Sequence, residues 1–137
     1  MNKLTKITPA YPGLVEYEGW AYRLTGSLVV DGSLEIALGA KWLFVAEGIK
    51  VGEGIKAGWG IKAGEGIEAG WGIEAGRGIV SGLSIRCKNA LSFKFNLFAG
   101  TACWKQAEGA DLVVEAASVG PGKVKNGTVR LLTGGAM

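Results

Sequence analysis

From Gly48 to Gly78 the chain reads GIKVGEGIKAGWGIKAGEGIEAGWGIEAGRG, and no other feature restricts its fold so severely. An aliphatic residue returns at every sixth position, through Leu43, Ile49, Ile55, Ile61, Ile67, Ile73, Ile79, Ile85, Leu91 and Leu97, with Cys103 next in the series. Two places after each comes a second set: Val45, Val51, Ala57, Ala63, Ala69, Ala75, Ser81, Cys87, Phe93 and Ala99. A helix would rotate residues six apart by about 240° and scatter the isoleucines around its circumference. Its glycines would cost close to 1 kcal/mol each. Residues i and i+2 share one face of a strand, so the repeat is a series of very short strands broken by glycine.

Six-residue strand-plus-corner units suit a solenoid in which successive units form successive sides of a coil. With three sides to a turn, residues 18 apart stack about 4.8 Å over one another. Outward columns then read Lys50, Glu68, Arg86 and Lys56, Glu74, Ser92, and Trp59 falls beneath Arg77 with Phe95 beyond, a cation–π arrangement. A two-sided coil with a 12-residue turn stacks Trp59 on Trp71, but sets Lys50 over Lys62 and Glu53 over Glu65. Like charges on adjacent strands are unfavourable. The three-sided coil is therefore the expected one, its own blemish being Glu47 over Glu65. The corner glycines are expected to adopt unusual backbone angles, often with positive φ, that glycine alone reaches cheaply.

The pattern continues upstream as Leu28/Val30 and Leu34/Ile36 with an Asp31-Gly32 corner, then slips by three residues near ALGAKW. Downstream of Thr101 the glycine rhythm stops, and ADLVVEAASVGPGKVKNGTVRLL reads as two or three strands joined by Gly120-Pro121-Gly122 and a tight Asn126-Gly127 turn. The expectation is an all-β, three-sided β-helix of about four turns with six-residue sides and a C-terminal β cap. Residues 1–21 would form an N-terminal cap and 22–102 the solenoid. Residues 103–137 would be a strand cap or the exchange arm of a dimer, since open coil ends invite pairing.

Composition narrows function mainly by exclusion. The chain of 137 residues has no histidine, which removes histidine triads and the usual zinc sites. Neither metal nor cofactor is expected. GEGIKA at Gly52 to Ala57 matches a dinucleotide fingerprint by letter, but it lacks the following helix and recurs every few residues. Glu47, Glu53 and Glu65 sit on a convex ridge, where carboxylates stay solvated and are poorly tuned for acid–base work. A net charge of +3 is mild, so nucleic acid is not the expected partner. RCKNALSFKFNLF interleaves Arg86, Lys88 and Lys94 with Phe93 and Phe95, but Phe93 holds an inward position. No signal segment or membrane-spanning run is evident, and Cys87 and Cys103 read as free cytosolic thiols. The expected location is the cytoplasm.

Two surface features point to binding. The third outward column is Phe44, Lys62, Val80, Phe98; three apolar residues in register imply a cover, from a terminal segment or from a partner. The second is a ridge of Trp59 and Trp71 with Arg77, Glu53 and Glu65 set among glycines, where exposed tryptophan favours a binding hot spot.

GSLVVDGSLEI followed by G-I-K-A-G hexads resembles the bactofilin group of polymer-forming β-helices. The run GIKAGEGIEAGWGI leading into GLSI and LFAGTACWK looks like short hexad-repeat proteins of phages and prophages. The hexapeptide acyltransferases are a poorer match: their catalytic histidine is missing, and Glu, Trp or Arg stands where their motif has a small residue. The phage resemblance implies a small accessory protein of a kind that includes inhibitors of host defence complexes, CRISPR effectors among them. The expected function is thus non-enzymatic: a rigid surface engaging a host protein or complex, carried on a homo-oligomer such as a dimer. The alternative is a bactofilin-like self-assembling protein.

Overall fold

The computed structural model describes residues 4–17, 19–101 and 109–132. The chain is a β-solenoid of about 6 turns whose strands stack in parallel. Three faces share the work. Face I is a six-stranded sheet of β4 (Leu28–Val30), β7 (Ile49–Val51), β10 (Ile67–Ala69), β13 (Ile85–Cys87), β15 (Val113–Ala116) and β17 (Thr128–Leu131). Face II stacks β1 (Leu4–Ile7), β5 (Ser33–Ile36), β8 (Ile55–Ala57) and β11 (Ile73–Ala75). Face III stacks β3 (Ala21–Leu24), β6 (Trp42–Val45), β9 (Gly60–Ala63) and β12 (Gly78–Ser81). The nine-residue strands β14 (Ala90–Phe98) and β16 (Ser118–Asn126) run through the corner between faces II and III and join them into one sheet. At the first turn β2 (Leu14–Tyr17) pairs antiparallel with β3, while β1 lies parallel on β5.

The registers decide between the two coils. Lys50 lies opposite Glu68, and Glu68 opposite Arg86; Lys56 lies opposite Glu74, and Glu74 opposite Ser92. The turn is therefore 18 residues and three-sided. The slip near ALGAKW is equally concrete, because Leu24 pairs with Val45, Leu28 with Ile49 and Leu34 with Ile55, a turn of 21.

Inside, the two inward positions of each strand form vertical stacks. Ile49, Ile67 and Ile85 are at most 2% exposed, and Ile55, Ile73 and Leu91 at most 3%. Each such side chain contributes roughly 2 kcal/mol of burial. The second inward position holds alanine at Ala57, Ala63, Ala69 and Ala75, all buried, which keeps the coil narrow. Ser81 is buried in this series, and its hydroxyl donates to the Leu83 carbonyl at 2.5 Å.

Two expectations are corrected. The glycines between Gly48 and Gly78 do not adopt positive φ; the glycines that do, Gly26 and Gly39 among them, lie outside that stretch. Glycine is needed in the hexads for close approach instead. A Cβ on Gly52 would lie 2.1 Å from the Asp31 carbonyl oxygen, one on Gly64 2.2 Å from that of Ala46, and one on Gly70 2.0 Å from that of Gly52. The other glycine of the hexad varies along the coil: a Cβ on Gly48 or Gly54 would find its nearest neighbour at 3.4 and 3.6 Å, whereas one on Gly66, Gly72 or Gly78 would lie 3.1, 3.0 and 2.7 Å from a carbonyl oxygen. Serine stands at the equivalent place in the neighbouring coils, at Ser27 and Ser33.

The second correction concerns the C-terminal segment, which continues the coil and raises the turn count from about four. β15 and β17 extend face I, and β16 lies parallel on β14. Asn126-Gly127 is a corner between faces, with Gly127 at φ 122°, rather than a hairpin. Strand β16 passes straight through Gly120-Pro121-Gly122.

Candidate functional site

Because a turn is 18 residues, positions 12 apart fall on different edges, and the proposed ridge divides. Trp71 sits on the edge between faces I and II, directly above Glu53, whose carbonyl accepts from the Trp71 amide at 3.2 Å. Trp59 and Arg77 sit on the edge between faces II and III. Glu65 lies on the third edge, above Glu47, with the Glu65 amide donating to the Glu47 carbonyl at 3.1 Å. The like-charge stack expected there is present. Thus Trp59 and Trp71 do not form one surface, and Glu53 and Glu65 flank different edges.

What the structure does bring together is the II/III edge and face III. Arg77 lies 4.1 Å above the Trp59 ring and 5.1 Å from that of Phe95, sandwiched between aromatic residues of the coils below and above. The register that carries the isoleucines produces this sandwich, since the Arg77 amide donates to the Trp59 carbonyl and the Phe95 amide to that of Arg77. On face III, Phe44, Lys62, Val80 and Phe98 are in register. Lys62 Nζ stands 4.8 Å over the Phe44 ring, and Trp20 meets the same ring edge-on at 5.0 Å. The N-terminal segment therefore reaches the Phe44 end of the column. At the other end Val80 and Phe98 join Trp42, Arg77 and Phe95 in lining a shallow, mainly apolar groove of 200 Å³.

Trp42 was not among the sequence candidates. Its indole occupies the place of a side chain on Gly60, where a Cβ would lie 2.5 Å from the ring, and it extends to within 3.4 Å of a Cβ position on Gly78. The signal was available in the column Trp42, Gly60, Gly78, read at 18-residue spacing: one large residue next to two positions with no side chain.

The remaining groups offer little chemistry. Among the described residues no three His, Cys, Asp or Glu cluster as a metal site would require. Glu47 accepts a hydrogen bond from Ser27 and Glu53 one from Ser33, both at 2.9 Å, which ties these carboxylates to neighbouring coils. Cys87 is buried, and burial pushes its thiol up to about 11, away from the reactive thiolate. Cys103, and with it any pairing to Cys87, lies outside the described residues. Phe93 is 1% exposed and points inward; Arg86, Lys88 and Lys94 are spread over face I and two edges rather than gathered beside it. Among the described residues no helix is long and apolar enough to cross a membrane.

No family model, curated protein or solved structure matches the chain.

Proposed function

We propose that the chain is a non-catalytic recognition protein that docks the II/III edge and face III onto a protein partner. The observation that carries this reading is the continuous surface of Trp59, Arg77, Phe95, Trp42, Val80 and Phe98 on a stacked, rigid coil. Aromatic residues and arginine dominate protein-binding hot spots, because they bury much area at little cost in conformational entropy. The solenoid adds preorganisation, which lowers the ordering cost of binding. Charge argues against a nucleic-acid partner: the outward column of face I alternates Lys50, Glu68, Arg86, Glu115 and Arg130, which breaks up any uniform basic track. The resemblance to phage hexad-repeat proteins supports the finer reading of an accessory protein that occludes a host defence complex in the cytoplasm.

Capture from a bacterial lysate tests the proposal. The expected result is a discrete host complex retained by the native chain, lost with Val80→Glu or Phe98→Glu, and kept with Lys50→Glu on face I. Retention unchanged by the face III substitutions would overturn it.

One observation favours the alternative of self-assembly. β17 is exposed along its whole length and ends face I, while β4 ends the same sheet at the opposite pole. Both are parallel edge strands, so a head-to-tail contact would extend the sheet without closing it. Light scattering that rises steeply with concentration, and filaments by electron microscopy, would establish that reading in place of the first.

A further inference from the structure

Face II carries a surface that the proposed partner site does not use. Trp71 is 62% exposed at its margin, a degree of exposure unusual for an indole at the middle of a regular coil. Beside it lies a shallow groove of 420 Å³ lined by Leu4, Ser33, Gly54, Lys56, Gly72 and Glu74, among others. Leu4, at the end of the groove, is 63% exposed. The outward column of this face runs Lys6, Glu35, Lys56, Glu74, alternating in sign at each coil. Lys56 and Glu74 are exposed, and among the described residues neither is held in an ion pair.

We propose that face II is the interface of a two-fold homodimer, with the solenoids antiparallel and the axis lying along the strands between β8 and β11. This is the arrangement in which an alternating column complements itself. Lys56 faces Glu74 of the second copy, Glu74 faces Lys56 of the second copy, and each pair occurs once on either side of the axis. The same operation carries Trp71 from the level of β11 to the level of β8 in the second copy, over Gly54. The chain already packs an indole in this way, since Trp42 lies on Gly60 of the next coil on face III. Gly54 leaves equivalent room: a Cβ there would have no neighbour closer than 3.6 Å.

Face I also alternates in charge, but its exposed apolar residues, Val29 at 68% and Leu131 at 55%, stand at its two ends. Trp71 stands on the edge that the two faces share, and its side chain lines the groove of face II rather than those of face I. The dimer does not depend on the identity of a heterologous partner. It leaves the II/III edge and face III outward, so each dimer would present two copies of that surface.

Sedimentation equilibrium on the full chain over a concentration series tests the proposal. The native chain is expected to show a monomer–dimer equilibrium without larger species. Trp71→Ala should weaken it by roughly 30-fold, the loss typical of an interface anchor. Lys56→Glu and Glu74→Lys should each be monomeric over the same range, because each opposes like charges twice in its own homodimer. An equimolar mixture of the two should dimerise again, since both contacts in the heterodimer are then between opposite charges. Monomer stability cannot produce that recovery, which separates the interface from a folding defect. A native chain that stays monomeric, a dimer indifferent to Trp71→Ala, or a mixture that remains monomeric would each overturn the proposal. Association growing into open-ended species would show that contacts other than this face drive assembly.

Discussion

Gly58 and Gly70 sit in identical local sequence, Ala-Gly-Trp-Gly, and alanine at the two sites should have opposite effects. Neither has positive φ, so alanine is allowed by the backbone at both. At Gly58 a Cβ would meet nothing nearer than the Ile36 carbonyl oxygen at 3.9 Å. Gly58→Ala should then stabilise the chain by about 0.5 kcal/mol, through the entropy removed from the unfolded state. At Gly70 the Cβ would lie 2.0 Å from the Gly52 carbonyl oxygen, well inside contact distance. The coils must part there, which strains the bond from the Gly70 amide to the Val51 carbonyl, now 2.9 Å. Losing such a bond costs about 1 kcal/mol, and overpacking about 1–3 kcal/mol, against the same entropic gain. The net destabilisation is about 2 kcal/mol, or a fall of roughly 6–10 °C in the melting midpoint of a chain this size. Urea and thermal unfolding followed by circular dichroism measure both variants. Equal midpoints for Gly58→Ala and Gly70→Ala would refute the account of the hexad glycines as sites of close approach between coils.

Other outcomes follow from the same stacks. Glu68→Lys places a third positive charge between Lys50 and Arg86 and should cost about 1–2 kcal/mol, less at high salt; Glu65→Lys relieves the stack on Glu47 and should stabilise by a few tenths of a kcal/mol, both read by urea unfolding. Arg77→Ala removes the cation held between Trp59 and Phe95 and should destabilise by about 1 kcal/mol, with a change in tryptophan fluorescence; Arg77→Lys should lose less. The Cys87 thiol is raised in the folded chain from 9.0 to about 11. The native state therefore holds this proton more tightly than the unfolded one, so its contribution is complete below pH 9 and lost as pH rises toward 11. Urea unfolding across that window should show the native chain losing stability faster than Cys87→Ala, and parallel curves would count against a buried protonated thiol.

How far the sequence could be read depended on how many residues repeated a given signal. The strand character, the inward pairs and the 18-residue register were legible because each was repeated coil after coil from Leu43 to Leu97, and the three-residue slip because it was the break in that repeat. The Arg77 sandwich followed from the same arithmetic. The C-terminal segment was not legible as coil. Its spacing changes, with Ile85 paired to Val114 and Val114 to Val129, so no period remained to follow. Asn126-Gly127 has the letters of a hairpin turn, and local letters do not tell whether the next strand returns beside its neighbour or continues to another face.

By itself the sequence determined a narrow β-coil: isoleucine at every sixth position and alanine two places later admit one inward face and one interior width. Only the tertiary structure decided why the glycines are there and which side chains share a surface. The clash at Gly70 comes from a carbonyl of another coil, and the separation of Trp71 from Trp59 comes from closing the turn in three sides. Both depend on contacts between residues 18 apart, which a local pattern implies only once the register of the coils is known.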